Sequence, residues 1–133
     1  MSDSQGHDPS AVLDHFLNAR NVGDFPDADA VGEVGAVECG DILRICLKVR
    51  DGRITDARFR AYGCGTAIAC ASVTTELLRG RTMEEAKCFT NDEVAKALGG
   101  VPATKAHCPV LAEEAVKAAV ADYAARATSS PRE

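Results

Sequence analysis

The sequence predicts a single domain in which one β-hairpin is set among several helices. Three observations carry that reading. Leu43, Ile45, Leu47 and Val49 alternate with Arg44, Cys46, Lys48 and Arg50, the two-residue period of a half-buried strand. Asp51-Gly52 then turns the chain, and Ala57, Phe59 and Ala61 alternate with Arg58, Arg60 and Tyr62, so a type I′ turn closes a hairpin. The flanking segments carry helix start and stop signals, with no internal repeat, low-complexity tract or linker. At 133 residues with 46% hydrophobic content, the chain is long enough to bury its own core.

Taken in order, the first eight residues read as a flexible N-terminus, 9–127 as the domain and 128–133 as a disordered tail. Asp8-Pro9 supplies an N-cap followed by Pro at the first helical position. Val12, Leu13, Phe16 and Leu17 form one apolar stripe of a helix ending near Arg20. From Gly23 to Gly40, Pro26 and repeated Gly and Asp read as loop with room for one short strand. After the hairpin, a helix is expected from Thr66 to Arg79, stopped by Gly80 in the left-handed conformation. Thr82 with Glu85 and Thr90 with Glu93 are capping boxes, each opening a short helix, and Gly99-Gly100 stops the second. Pro109 fits the first position of a long helix with Ala112, Val116, Ala119, Val120 and Tyr123 on its apolar face.

Composition narrows the function class. The polar start, Met1 to His7, has no secretory signal, and no stretch approaches membrane-spanning length, so a reducing cytoplasm is the expected setting for six cysteines. A net charge of −5 argues against nucleic acid as a partner. Against that balance, Arg44, Lys48, Arg50, Arg53, Arg58 and Arg60 crowd into the hairpin. A solvated sheet face is one explanation and a dock for an acidic protein the other.

The cysteines divide into two sets. Cys46 within a strand, Cys70 after Ala67-Ile68-Ala69 in a helix and Cys88 beside Phe89 read as small apolar packing groups. Cys39-Gly40-Asp41, Gly63-Cys64-Gly65 and His107-Cys108 are different. Together they offer three thiols, a carboxylate and an imidazole, a soft mixed set that suits tetrahedral iron or zinc, although a catalytic or redox thiol set stays open at this point. Cys64 precedes one expected helix and Cys108 caps another, so each dipole's positive end favours thiolate over thiol. Gly40, Gly63 and Gly65 leave room beside these residues for a metal or an incoming sulfur. Asp41 adds an exchangeable oxygen, whereas a purely structural site is usually closed with Cys or His.

Three runs carry a resemblance. Gly35-Ala36-Val37-Glu38-Cys39-Gly40-Asp41, then Arg58-Phe59-Arg60-Ala61-Tyr62-Gly63-Cys64-Gly65-Thr66-Ala67-Ile68-Ala69, then Lys105-Ala106-His107-Cys108-Pro109-Val110-Leu111-Ala112-Glu113 closely resemble the iron-sulfur cluster assembly scaffold family, which includes the IscU proteins and the N-terminal domain of NifU. The likeness runs from His15-Phe16 through Asp122-Tyr123, with Ala19 where the family usually has proline. Ala97-Leu98-Gly99-Gly100-Val101-Pro102 leans towards the NifU branch.

The resemblance implies an α+β fold, a small three-stranded antiparallel sheet covered by helices. It also implies a scaffold, not an enzyme, that accepts persulfide sulfur from a cysteine desulfurase. Such a scaffold binds Fe2+, builds a transient [2Fe-2S] cluster and hands it to apo iron-sulfur acceptor proteins. Cys39, Cys64 and Cys108 would be the cluster thiolates, with Cys108 the sulfur acceptor. Asp41 and His107 would be accessory ligands, the carboxylate keeping the cluster labile, and Lys105 matches a basic residue beside the site. The family's chaperone segment reads Leu-Pro-Pro-Val-Lys, whereas this chain has Val101-Pro102-Ala103-Thr104-Lys105, which leaves recognition by an Hsp70-type chaperone open. The family's N-terminal tyrosine is missing near Asp8, and no cysteine follows Cys108 to form a further cluster domain. The Cys64 to Cys108 spacing has no room for the insertion of the zinc-dependent SufU branch. The alternative function is a zinc-bound sulfur relay that activates a desulfurase, since the same donors would also hold Zn2+ tetrahedrally.

Overall fold

The computed structural model describes residues 21–36, 40–63, 65–101 and 105–129, with the backbone alone described for Ala36, Asp41 and 127–129. The helix expected between Asp8 and Arg20 lies outside the described residues. Three strands, β1 (Ala30–Ala36), β2 (Asp41–Arg50) and β3 (Arg53–Tyr62), form one antiparallel sheet in the order β1-β2-β3. Four helices follow among the described residues: α1 (Gly65–Leu78), α2 (Met83–Lys87), α3 (Asn91–Ala97) and α4 (His107–Ser129). The fold is α+β, as the resemblance implies.

The hairpin forms as its alternation dictates. Asp51 and Gly52 both have positive φ, 56° and 75°, the geometry of a type I′ turn, which matches the right-handed twist of the strands it joins. One feature escaped the sequence. The ladder shifts between Lys48 and Val49, so Thr55 is the extra residue of a bulge and Ile54 and Ala57 are both buried although three apart. The stretch read as loop with room for one short strand holds a seven-residue strand, β1, the third strand that the resemblance implies. Its glycines argue for loop in isolation, yet Gly32 is where the strand meets a helix backbone.

That contact leaves no room for a side chain. A Cβ built on Gly32 would lie 2.2 Å from the Ala115 carbonyl oxygen and 2.4 Å from the Ala119 nitrogen, so α4 can rest on β1 only over a bare backbone. On the helix side, Ala112, Ala115 and Ala119 are fully buried, with Val116 beside them. Two polar clamps hold the same joint: the Val31 N–H donates to Asp122 Oδ2 at 2.9 Å, and Arg126 Nη1 donates to the Ala28 carbonyl at 2.8 Å. α1 packs on β3 and is buried along most of its length, and Thr74 and Thr75 return their hydroxyls to the carbonyls of Cys70 and Ser72, both at 2.7 Å.

The glycine stops and the two capping boxes hold. Gly80, Gly99 and Gly100 all have positive φ. Glu85 N–H donates to Thr82 Oγ1 at 3.1 Å while Thr82 N–H donates to Glu85 Oε1 at 2.9 Å. Glu93 likewise accepts from Thr90 N–H at 3.3 Å. α4 departs from expectation at both ends. It begins at His107, two residues before Pro109, and continues to Ser129, into the stretch assigned to a tail.

Two carboxylates in this layer titrate low. Arg81 chiefly holds Glu93 below the usual carboxylate range, and hydrogen bonds from the Asn91 side chain and backbone do the same for Glu113. A depressed folded-state pKa stabilises the fold fully above the ordinary glutamate value near 4.3 and loses that contribution as pH falls through the depressed value. Thermal midpoints are therefore expected to fall on acidification below about pH 4.5, and less so in Glu113→Gln. Equal acid sensitivity in the variant would contradict the assignment.

Candidate metal centre

Two of the five candidate ligands have described side chains, both in the first turn of α4. Cys108 is 1% exposed and His107 is half-buried, with Cys108 Sγ 3.7 Å from His107 Nε2. Cys108 is in no disulfide. The early start of α4 puts Cys108 inside the first turn instead of at its cap. Pro109, Leu111 and Ala112 are buried around it and draw the turn onto the core. Lys105 is half-buried. Cys39, Cys64 and the Asp41 side chain lie outside the described residues, and among those described no three His, Cys, Asp or Glu side chains converge.

The described backbone nevertheless brings the segments that bear these residues to one end of the sheet. Ala36 pairs with Asp41, and Ile42 pairs with Tyr62, so both ladders finish at the same end. The chain leaves β1 there toward Cys39 and re-enters at Asp41, and leaves β3 there toward Cys64. Gly63 has φ 152° and α1 starts at Gly65. α4 reaches the same level. It runs antiparallel to β1, since Ala28 meets Arg126, Val31 meets Asp122 and Gly32 meets Ala115 and Ala119. From Gly32 to Ala36 the strand rises about 13 Å, and the helix covers that height in about nine residues, which brings Ala36 level with Cys108. Next to this end, Tyr62 is 63% exposed and its register partner Ile42 38% exposed.

The other cysteines are placed as follows. Cys70 is buried, as expected. Cys88 is exposed, which corrects its reading as a packing group: it follows α2 as its C-cap, and Phe89 alone turns into the core. Cys46 is 1% exposed although its alternation puts it with the arginines on the outer face of the sheet. What covers it is a strap, residues 21–29, that the sequence did not reveal. Its start pairs with the edge of β3, where Gly23 N–H donates to the Phe59 carbonyl at 2.7 Å and Phe59 N–H to the Asn21 carbonyl at 2.9 Å. Its end pairs with β2, Asp29 N–H donating to the Leu47 carbonyl at 2.8 Å.

Between these ends the strap meets the basic residues of the hairpin. Asp24 accepts from Arg60 Nε at 2.7 Å and faces Arg44 Nε at 3.5 Å, Asp27 pairs with Lys48 at 2.7 Å, and Arg58 lies 4.4 Å above the Phe25 ring. Arg53 donates to the Gly80 carbonyl instead. The basic hairpin face is thus neither bare nor solvated throughout, because the chain's own acidic segment lies on it.

The fold and site define a small α+β domain with a thiol and an imidazole in a helix's first turn, level with two strand exits that lead toward cysteines. The chain belongs to the NifU-like N terminal domain family, whose model matches residues 8–130. It is 52% identical over 112 residues to the iron-sulfur cluster assembly scaffold protein IscU 1 of Archaeoglobus fulgidus, covering 84% of this chain and 73% of that protein. To the scaffold protein IscU of Azotobacter vinelandii it is 52% identical over 116 residues, covering 84% and 90% respectively. The crystal structure of a nitrogen-fixing NifU-like protein (N-terminal) from Brucella abortus matches with TM-score 0.70 over 87% of this chain and 93% of that one, at 22% identity, which speaks to the fold. No helix among the described residues is long and apolar enough to cross a membrane.

Proposed function

We propose that this protein is a scaffold on which iron-sulfur clusters are assembled, a carrier and not a catalyst. Its sulfur comes from the persulfide of a cysteine desulfurase, its iron arrives as Fe2+, and the finished [2Fe-2S] cluster is cargo handed to apo acceptor proteins. Cys39, Cys64 and Cys108 are the cluster thiolates and Asp41 and His107 the accessory ligands. The observation that carries this reading is the 52% identity to IscU scaffold proteins over 84% of the chain. The common level of the β1, β3 and α4 ends supports it, because ligands 69 positions apart in sequence need such a fold to meet.

Sulfur loading moves one sulfane sulfur. The Cys108 thiolate attacks the outer sulfur of the donor persulfide, the donor's S–S bond breaks, its cysteine leaves as thiolate, and Cys108 becomes the persulfide. The His107 imidazole, 3.7 Å away, is placed to take the thiol proton. Because Cys108 is buried, what covers it must move before a donor reaches it.

Anaerobic reconstitution with ferrous iron, cysteine and a desulfurase, followed by transfer to an apo-ferredoxin, tests the reading. A cluster spectrum that appears on this protein and passes to the ferredoxin is expected. A zinc-loaded protein that accepts sulfane sulfur and stimulates the desulfurase without ever carrying a cluster would point to a sulfur relay instead. Replacing Asp41 by Ala should leave a cluster that forms but departs more slowly, since a hard carboxylate on a soft iron-sulfide unit is the weak, exchangeable bond. Faster transfer from Asp41→Ala than from the parent protein would refute that role.

A further inference from the structure

Cys46 stands on β2 five residues from Asp41, about 17 Å along the strand, with its side chain on the outer face away from the core. Sulfane sulfur passes to any thiolate it can reach, so a thiol at this distance competes with the site unless something withholds it. The 21–29 strap does. It crosses the outer face directly over Cys46, whose Sγ donates to Asp24 Oδ1 at 3.3 Å. Asp24 is fastened in turn by Arg60 at 2.7 Å and Arg44 at 3.5 Å, Phe25 lies under Arg58, and both strap ends are pinned by backbone hydrogen bonds.

We propose that the strap is a thiol shield and Asp24 its specificity-determining residue, closing Cys46 to sulfur transfer so that sulfur is directed to the site thiols. This inference rests on the sulfur-accepting role proposed above. Burial, and then the hydrogen bond to Asp24, raise the Cys46 thiol above its ordinary value, which acts in the same direction as the steric cover. The Arg60 hydrogen bond first, and then that from Cys46, lower Asp24, so the carboxylate that fastens the strap stays ionised at neutral pH. Cys88 has no such cover. It follows α2, whose N-cap Thr82 bridges to Arg53 beside the hairpin turn, at the other end of the sheet from the site, and it serves as the internal standard for an open thiol.

Iodoacetamide pulses on the reduced full-length protein, read thiol by thiol by peptide mass spectrometry, test the shield without any sulfur chemistry. Cys46 is expected to label far more slowly than Cys88. In Asp24→Ala, which keeps the backbone pins but loses the charged fastening, its labelling should rise about tenfold, and Phe25→Ala should act in the same direction. Circular dichroism shows whether each variant is folded. Labelling of Cys46 as fast as Cys88 in the parent protein, or unchanged protection in folded Asp24→Ala and Phe25→Ala, would overturn the proposal. With a desulfurase and cysteine, added sulfur on Cys46 is expected in Asp24→Ala and not in the parent, and to vanish in Asp24→Ala/Cys46→Ser. Sulfur on no thiol of either protein would count against the sulfur-accepting role, while the labelling rates decide the shield independently.

Discussion

Gly32→Ala is expected to cost about 3 kcal/mol or more, the upper range for overpacking a close-packed site. The new methyl would meet the Ala115 carbonyl and the Ala119 amide at 2.2 and 2.4 Å, and both are helix backbone that cannot rotate aside. Relief requires α4 to lift from β1. That lift strains the Val31–Asp122 hydrogen bond and the Arg126 clamp on Ala28, and it opens the Ala112, Ala115 and Ala119 seam. Against a total stability of about 5–15 kcal/mol, the thermal midpoint should drop by about 10 °C. Gly52→Ala is the control: its φ is 75° but nothing lies within 4 Å of the added Cβ, so it should cost only about 1 kcal/mol of backbone strain. Melting followed by circular dichroism compares the two. A Gly32→Ala midpoint equal to that of Gly52→Ala would show that the joint yields more easily than its backbone contacts indicate.

The same joint sets the height of α4 along β1, and so the level of Cys108 relative to the strand exits. A surviving fraction of Gly32→Ala should therefore also assemble clusters poorly.

Cys108→Ser should remove nearly all sulfur loading and cluster assembly while leaving the fold intact. The hydroxyl is close in size to the thiol and sits in a pocket 1% exposed, so packing changes little. Chemically the change is large, because a serine oxygen is a hard ligand and is not deprotonated near neutral pH. Loss of a direct ligand should weaken metal or cluster retention by at least the roughly 10- to 100-fold seen when an outer-shell partner is lost. Metal content, visible absorption after reconstitution and mass spectrometry for added sulfur give three readouts, with the melting midpoint as control. Native-rate cluster formation by Cys108→Ser at an unchanged midpoint would remove Cys108 from the site.

Much of this protein was legible locally. The I′ turn at Asp51-Gly52, the two capping boxes and the glycine stops at Gly80 and Gly99-Gly100 depend on a few adjacent residues, and each formed as read. The three ligand-bearing runs were equally plain, because thiol, imidazole and carboxylate chemistry belongs to residue type and needs no fold to be noticed. By itself, then, the sequence determined the hairpin, the capping boxes, the glycine stops and the family. What only the tertiary structure decided depends on contacts between distant segments. β1 was legible only as room for one short strand because Gly32 and Gly35 lower strand propensity, and what makes Gly32 necessary is a helix backbone more than 80 residues later. Cys88 was misread for a related reason, and Cys46, buried as read, owes its cover to a distant segment. Burial follows from what packs over a residue, and neither the turn of Phe89 into the core nor the fastening of Asp24 across Arg44 and Arg60 is visible in the periodicity around either thiol. The burial of Cys108 has the same origin: a helix start is a local signal, but the face its first turn presents is set by the sheet and helices it packs against.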